Sequence, residues 1–240
     1  MAGADAAATI AALAQAANPS PARVADIGCG RGTTTAWLAS QYPAAAVVAI
    51  DLSAALLAAA GDRPHAANRR AGLVAGDFHH LPLATGSLDL AVAAFCLYHS
   101  PRPELALAEL GRCLRAGGHL IAATKSADSY QSVDTLIAAS GLDPEAAQRP
   151  SLYQTFHTGN AEQEVTAAGL LVCGRVDQEH RFRFADLDHL AEYAATCPKY
   201  QLPEELTCDP RRLAAALRQR LPDAPTIATS TVTYLVAVRP

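Results

Sequence analysis

Short apolar runs alternate with stretches of helical periodicity along most of the chain. The apolar runs predict seven strands, at residues 23–27, 46–50, 72–75, 88–95, 119–124, 170–176 and 231–238. The intervening patterns predict helices at residues 1–20, 33–40, 53–60, 104–115, 132–140, 160–169, 186–196 and 209–221. Such alternation is typical of an α/β protein with a doubly wound, mostly parallel sheet.

Capping residues mark one end of two of these helices. Ser53 stands where it can cap the helix that follows it, and Gly117 and Gly118 are expected to close the helix at 104–115. Residues 126–160 and 182–222 are less regular than the rest. We interpret them as candidate covers over the ligand edge of the sheet, within a single domain that spans residues 1–240.

The three glycines of VADIGCGRG directly follow the first predicted strand, so a backbone there comes close to a ligand. No Lys-Ser/Thr pair follows them, which disfavours a nucleoside triphosphate. The dinucleotide fingerprint needs glycine or alanine where Thr33 stands, and the third glycine comes one position early. Asp26, two residues before the first glycine, suits a cationic or amine-bearing ligand better than a pyrophosphate.

The sequence DIGCGRG resembles motif I of the class I S-adenosylmethionine-dependent methyltransferases, and four further landmarks follow in order. These are Asp51 after the second strand, GDFHHLPL with Asp77 and Phe78, the segment GSLDLAVAAFCLYHS, and CLRAGGHLIA. The resemblance covers residues 24–124, whereas the second half of the chain matches only loosely. It implies a Rossmann-like, seven-stranded doubly wound sheet with a helical cover inserted after strand five.

The resemblance also implies that S-adenosylmethionine is the cofactor and S-adenosylhomocysteine the product. Asp51 would bind the ribose hydroxyls, and Asp77 and Phe78 the adenine, while Asp26 would act from behind the glycine loop or through water. The implied cofactor residues are Asp26, Gly28, Cys29, Gly30, Thr34, Asp51, Leu52, Gly76, Asp77, Phe78, Phe95, Cys96 and Leu97. Each acid has a structural alternative: Asp51 as a helix cap, Asp77 as a turn residue. Phe78 could be a core residue, and we interpret Asp89 as structural.

Methyl transfer demands alignment above all, and a general base helps when the acceptor is a hydroxyl or a protonated amine. His99 and Tyr98, directly after strand four, are the candidate catalytic residues. His79 and His80 are further candidates near the cavity mouth, and we predict that Tyr153, His157 and His99 contact the acceptor. The alternative for His99 is a histidine that lies beside the cofactor without taking part in the reaction.

Charge disfavours a nucleic-acid acceptor, and a compact domain with an inserted cover resembles the subgroup of the family that acts on metabolites and natural products. The net charge is −4, and no basic block appears that would bind nucleic acid. The sequence AFCLYH also lacks the N/D-P-P-[YF] motif that amino-methylating members carry. The six cysteines form no C-x-x-C pair, so we expect buried free thiols and no metal site. We further expect a cytoplasmic protein that is a monomer or a homodimer. The Ala-rich start carries Asp5 and no basic region, which favours a helix over a signal peptide, and Asp51 and Ser53 interrupt the longest apolar run.

Three other functions stay open on the sequence. The same fold and cofactor could serve a cyclisation, decarboxylation or rearrangement. The protein could also be a non-catalytic partner subunit with a degenerate pocket, although the set Asp26, Gly28, Gly30, Asp51 and Asp77 is intact. A nicotinamide-dependent oxidoreductase is disfavoured by the glycine spacing.

Overall fold

The computed structural model describes residues 6–62 and 71–240, so the first five residues of the predicted N-terminal helix lie outside it. The helices are α1 (Ala6–Ala17), α2 (Thr33–Gln41), α3 (Ala54–Gly61), α4 (Pro103–Cys113), α5 (Gln131–Ala139), α6 (Ala161–Ala167), α7 (Leu187–Ala194) and α8 (Pro210–Arg218). Among these described helices, none is long and apolar enough to cross a membrane.

The strands are β1 (Arg23–Ile27), β2 (Ala46–Asp51), β3 (Gly72–Ala75), β4 (Leu88–Ala94), β5 (Leu114–Lys125), β6 (Leu171–Phe184) and β7 (Thr226–Val238). They form one sheet in the order β3-β2-β1-β4-β5-β7-β6. Strands β1 to β5 pair in parallel, and β7 runs antiparallel to β5. The predicted seven-stranded, doubly wound α/β sheet is therefore confirmed.

Strand β4 buries both of its faces, as a strand inside a doubly wound sheet must. Leu90 and Val92 pack into a core that includes Ile10 of α1 and Leu38 of α2. The alternate residues of the strand belong to a second core, to which α4 contributes its apolar side chains. This period-two division puts helices on both faces of the strand and leaves its carboxyl end for the site.

The described residues divide into two compact units. The larger unit comprises residues 6–62, 71–125, 155–178 and 232–240, and the smaller unit comprises residues 126–154 and 179–231. The segments predicted as covers, 126–160 and 182–222, fall largely within the smaller unit. Their role as a cover stays a prediction.

The smaller unit has its own core, which α5, α7 and α8 supply. A buried polar cluster accompanies it. The Asp134 carboxylate accepts a hydrogen bond from the Tyr200 hydroxyl at 2.8 Å and pairs with the Lys199 ammonium at 2.5 Å. Because both charges are largely withdrawn from water, the pair orders these segments more than it stabilises them.

Element boundaries differ from the sequence prediction at three places. Helix α4 ends at Cys113, and Gly117 and Gly118 lie inside β5 instead of capping that helix. Their backbones hydrogen bond with Arg239, which follows β7, so a tertiary contact made by the chain's last residues determines this boundary. Strands β6 and β7 also extend into segments that carry too many polar residues to be predicted as strand. Ser53 does cap α3, since its hydroxyl accepts from the Leu56 N–H.

The cysteines are only partly buried, which corrects the expectation from the sequence. All six are free thiols, but Cys173 and Cys208 are exposed and Cys197 is half-buried. Cys173 lies in β6, an edge strand of the described sheet, which has a neighbouring strand on one side only. Edge position, which the sequence alone does not give, explains that exposure.

Asp89 anchors the start of β1, in agreement with its structural interpretation. Its carboxylate accepts hydrogen bonds from the backbone N–H groups of Ala22 and Arg23, at 2.9 and 2.8 Å, and pairs with Arg115. We expect Asp89→Ala to lower the free energy of unfolding by about 1–3 kcal/mol, because these donors lose a charged acceptor. Urea unfolding measures the loss. Arg115→Gln is the control and should cost less than about 1 kcal/mol, since that guanidinium is half exposed. An Asp89→Ala variant as stable as the wild type would contradict this assignment.

Candidate active site

The glycine loop joins the carboxyl end of β1 to α2 and approaches the residues after β4 closely. Gly28 has φ +63°, and a Cβ built there would lie 2.4 Å from the Cβ of Cys96. Only glycine fits such a position, both in backbone conformation and in space. Gly30 also has a positive φ, +55°, but a Cβ there would meet no atom within 4 Å. The loop is therefore tight on its Cys96 side and open at Gly30.

Asp51 holds this loop from the carboxyl end of β2. One carboxylate oxygen accepts the Gly30 N–H at 2.8 Å, and the other accepts the Ser53 N–H at 2.9 Å. Ser53, and not Asp51, caps α3. Each carboxylate oxygen has a second lone pair, so Asp51 can still accept hydrogen bonds from a ligand.

Asp77 follows β3 and belongs to a hydrogen-bonded chain. Its carboxylate accepts the backbone N–H of His79 at 2.9 Å and contacts the His79 Nδ1 at 2.7 Å. The His79 Nε2 in turn lies 2.7 Å from the hydroxyl of Ser100, which is buried after β4. The backbone hydrogen bond, with help from the His79 side chain, lowers the pKa of Asp77. Asp77 is thus both a turn residue and an ionised group with a fixed orientation.

The segment after β4 supplies the opposite wall. Phe95 has a left-handed backbone, φ +58°, and its N–H donates to the Ala123 carbonyl of β5 at 2.8 Å. The Cys96 thiol points at the Ile27 carbonyl, 3.2 Å away, and its burial raises its pKa. Cys96 is therefore a neutral packing group under the glycine loop. Leu97 is fully buried.

These elements enclose a cavity of about 640 Å³ at the carboxyl ends of the parallel strands, within the size range of small-molecule sites. Of the thirteen residues implied as cofactor contacts, nine line it: Gly28, Gly30, Asp51, Leu52, Gly76, Asp77, Phe78, Phe95 and Cys96. His99 lines it too, as do four residues not predicted as cofactor contacts: Ile50, Ser53, Leu56 and His79. Phe78 also packs on the core, as its structural alternative predicted.

Four implied residues do not line the cavity: Asp26, Cys29, Thr34 and Leu97. Asp26 is buried, and its carboxylate accepts a hydrogen bond from the Thr35 hydroxyl at 2.5 Å. Burial raises the pKa of Asp26 from 3.8 to about 7. Thr35 was not among the predicted site residues, although it stands in the helix that directly follows the glycine loop.

Replacing Asp26 by Asn should flatten the pH dependence of unfolding between about pH 4 and pH 7. The folded-state pKa of Asp26 is raised, so in this window the folded protein holds a proton that the unfolded chain has released, and stability falls as pH rises. An amide has no such proton. Urea unfolding at a series of pH values measures the slope.

Thr35→Val is the matched variant for this experiment. It removes the hydrogen bond that lowers the Asp26 pKa, so it should extend the pH-dependent window upward. Equal slopes for Asp26→Asn and the wild type would show that Asp26 is not the group responsible.

Of the candidate catalytic pair, Tyr98 and His99, and the predicted acceptor contacts, only His99 lines the cavity. The His99 ring lies 4.5 Å from the Tyr98 ring, centroid to centroid, and desolvation lowers the pKa of His99. His157 uses its Nδ1 to accept the Gly159 N–H at 3.0 Å and does not line the cavity. Tyr153 belongs to the smaller unit, where it is buried. Across residues 6–62 and 71–240, no three His, Cys, Asp or Glu side chains form a group that could hold a metal.

Residues 25–122 match the sequence family described as "Methyltransferase domain". The matched segment contains the last three residues of β1, all of β2 to β4, the glycine loop and every residue that lines the cavity. Over this segment, which is less than half of its length, the chain therefore resembles methyltransferase domains.

Individual relatives show the same resemblance. The malonyl-[acyl-carrier protein] O-methyltransferase of Laribacter hongkongensis is 37% identical over 130 residues, which is 51% of this chain and 43% of the relative. The chain covers less than half of the length of the curated relatives that it matches.

Solved structures share the fold over almost the whole chain. A Bacillus halodurans protein provisionally named a methyltransferase aligns with a TM-score of 0.65 at 19% identity, over 97% of this chain and 99% of that one. The [4+2]-cyclase SpnF aligns with a TM-score of 0.62 at 18% identity, over 98% and 80% of the two chains. At these identities the likeness concerns the fold alone.

Proposed function

We propose that the protein methylates a small-molecule metabolite or natural-product intermediate. The observation that carries the proposal is the cavity in which Asp51, Asp77 and the glycine loop converge at the carboxyl ends of β1, β2 and β3. The position agrees with the general rule that open α/β sheets bind ligands there. S-adenosylmethionine supplies an activated methyl group on its sulfonium.

The chemistry of the lining residues fits this cofactor. We propose that Asp51 accepts hydrogen bonds from the ribose hydroxyls and that Asp77 accepts one from the adenine amine. Phe78 and Leu52 offer apolar surface to the adenine ring. Gly28 and Gly30, backed by Cys29 and Thr34, admit the methionine portion, with backbone carbonyls of residues 95–97 near its amine. Asp26 acts from behind the loop or through water.

We propose His99 as the general base and Tyr98 as its neighbour that orients it. The lowered pKa of His99 keeps the imidazole neutral at pH 7, which is the form that accepts a proton. Tyr153 and His157 remain proposed acceptor contacts. The proposal further includes a cytoplasmic location and a monomeric or homodimeric state, on the grounds of composition.

Formation of S-adenosylhomocysteine tests the reaction. The purified protein is incubated with S-adenosylmethionine and a panel of hydroxyl, amine and carboxylate metabolites, and the product is measured by mass spectrometry. We expect equal amounts of methylated acceptor and S-adenosylhomocysteine, and neither from Asp51→Ala at low cofactor concentration. Turnover of an acceptor without S-adenosylhomocysteine would favour the cyclisation or rearrangement alternative, which the fold of SpnF also serves. Absence of S-adenosylhomocysteine binding in calorimetry would favour the partner-subunit alternative.

His99→Gln should lower kcat with that acceptor on the order of a hundredfold, the usual contribution of a positioned base. The affinity for S-adenosylhomocysteine should change little, and the acidic limb of the kcat/KM pH profile should disappear. Tyr98→Phe should change kcat less and keep the limb. An unchanged pH profile in His99→Gln would instead support the alternative of a histidine that only lies beside the cofactor.

A further inference from the structure

The smaller unit contains a second cavity, separate in its lining residues from the cofactor cavity. Its volume is about 520 Å³, which is within the range of small-molecule sites. Every lining residue lies in the smaller unit: Tyr130, Arg181, Phe182, Arg183, Phe184, His189, Glu192 and Tyr193. The methyl-transfer proposal uses none of them.

Aromatic rings form the wall of this cavity. The rings of Tyr130 and Tyr193 are nearly parallel, with centroids 5.2 Å apart and 25° between their planes. The ring centroids of Phe182 and Tyr130 are 5.2 Å apart, and those of Phe184 and Tyr193 are 5.8 Å apart. Offset rings of this kind present flat apolar faces, which favours a flat apolar partner.

The backbone fixes the central ring of this wall. Tyr130 has φ +66°, a left-handed conformation that a bulky side chain rarely adopts. Its N–H donates to the Thr229 carbonyl at 3.0 Å, and its own carbonyl accepts the Val133 N–H at 2.8 Å. Strained conformations of this type persist where the surroundings hold them, and they cluster at ligand sites. The wall is thus preorganised.

Positive charge predominates among the lining residues. Arg181 has only a loose ion pair with Glu179, at 3.9 Å, and Arg183 forms no ion pair with any residue that the structure describes. The lining thus contains two guanidinium groups but only one carboxylate, that of Glu192. The His189 ring is held by the Ala185 N–H, which donates to its Nδ1 at 3.3 Å. A guanidinium binds a carboxylate through two parallel hydrogen bonds, so the free fork of Arg183 suits a carboxylic acid.

From the stacked rings and the unpaired Arg183, we propose that this cavity binds a flat aromatic or conjugated carboxylic acid. The rings contact the apolar plane of the molecule, and Arg183, assisted by Arg181, binds its carboxylate. The site is independent of cofactor binding, since no residue of the cofactor cavity takes part in it.

A pair of matched probes tests the proposal: 2-naphthoate and its uncharged amide, 2-naphthamide. Binding is measured by fluorescence anisotropy of each probe with the full chain, with and without saturating S-adenosylhomocysteine. We expect 2-naphthoate to bind about fivefold more tightly, the size of effect that a solvent-accessible ion pair gives. Saturating S-adenosylhomocysteine should leave both affinities unchanged.

Three variants assign the binding to residues. Arg183→Gln should remove most of the preference for the acid, whereas Tyr193→Leu should weaken both probes. Arg220→Gln, at an exposed arginine of the same unit, is the matched control and should leave the preference intact. Thermal melts verify that each variant is folded.

Equal affinity of the two probes, or a preference that survives in Arg183→Gln, would overturn the proposal. Displacement of 2-naphthoate by S-adenosylhomocysteine would do the same, because the probe would then occupy the cofactor cavity. The proposed methyl transfer is tested apart from this, since Asp51→Ala should lose cofactor affinity and keep the binding of 2-naphthoate.

Discussion

Asp51→Ala should weaken the binding of S-adenosylhomocysteine at least about tenfold. Hydrogen bonds to a charged group contribute about 1.5–3 kcal/mol each, and one such bond already corresponds to about a tenfold change in affinity. The two ribose hydroxyls are the proposed donors. The Asp51 carboxylate also holds the backbone of Gly30 and Ser53, so the variant removes part of the loop's support as well. Isothermal titration calorimetry measures the dissociation constant.

Asp51→Asn separates these two contributions. An amide keeps one oxygen of the same shape, so it can still accept from a backbone N–H, but it lacks the charge and the second acceptor. The amide nitrogen would face one of the two backbone N–H donors. We therefore expect the thermal stability of Asp51→Asn to lie between those of Asp51→Ala and the wild type, and its cofactor affinity to stay well below that of the wild type. A dissociation constant equal to that of the wild type in Asp51→Ala would contradict the ribose assignment.

Gly28→Ala should abolish measurable cofactor binding and lower the stability of the larger unit. The added methyl group would lie 2.4 Å from the Cβ of Cys96, and the backbone has φ +63°, so crowding and conformational strain act together. Overpacking costs about 1–3 kcal/mol, and a left-handed conformation adds about 1–2 kcal/mol for a residue with a Cβ. The loop can relieve both only by moving away from the cavity. Calorimetric titration and thermal melts measure the two effects.

Gly30→Ala is the matched control for this prediction. It has nearly the same backbone conformation, but a Cβ there meets nothing within 4 Å, so only the conformational cost applies. A second variant, Gly28→Ala combined with Cys96→Gly, removes the atom with which the new methyl group collides. We expect it to recover part of the lost stability. Equal effects of Gly28→Ala and Gly30→Ala would show that the approach to Cys96 has no importance.

Strands β1 and β3 were predictable to the residue because their apolar runs end sharply at turn residues. The position of the cavity was predictable for the same reason: its lining residues Gly28, Asp51 and Asp77 lie at or just after the ends of parallel strands, whose carboxyl ends meet at one edge of the sheet. Local pattern and tertiary position coincide at these residues. The prediction of the Ser53 cap is confirmed on the same basis, because a cap acts within one helical turn.

Contacts between residues far apart in the chain were not predictable. Ser100 and His79 are 21 positions apart, and their hydrogen bond depends on how the ends of β3 and β4 are placed. A Gly-Gly pair after a helical pattern predicts the end of that helix, but Gly117 and Gly118 lie within β5, where their backbones hydrogen bond with the backbone of Arg239. The separate core of the smaller unit was not predictable either. The sequence indicates that much of residues 126–231 is irregular, but not that most of these residues have a core of their own.

By itself, the sequence determined the fold class, the positions at which several strands end and the similarity to methyltransferase domains, because these depend on local periodicity and on short motifs. Only the tertiary structure decided which glycine is sterically constrained and that Asp26 lies buried against Thr35. It alone assembled the aromatic rings of Tyr130, Phe182 and Tyr193 into a cavity. Those features depend on distances between segments that are remote along the chain, and no local pattern encodes such a distance.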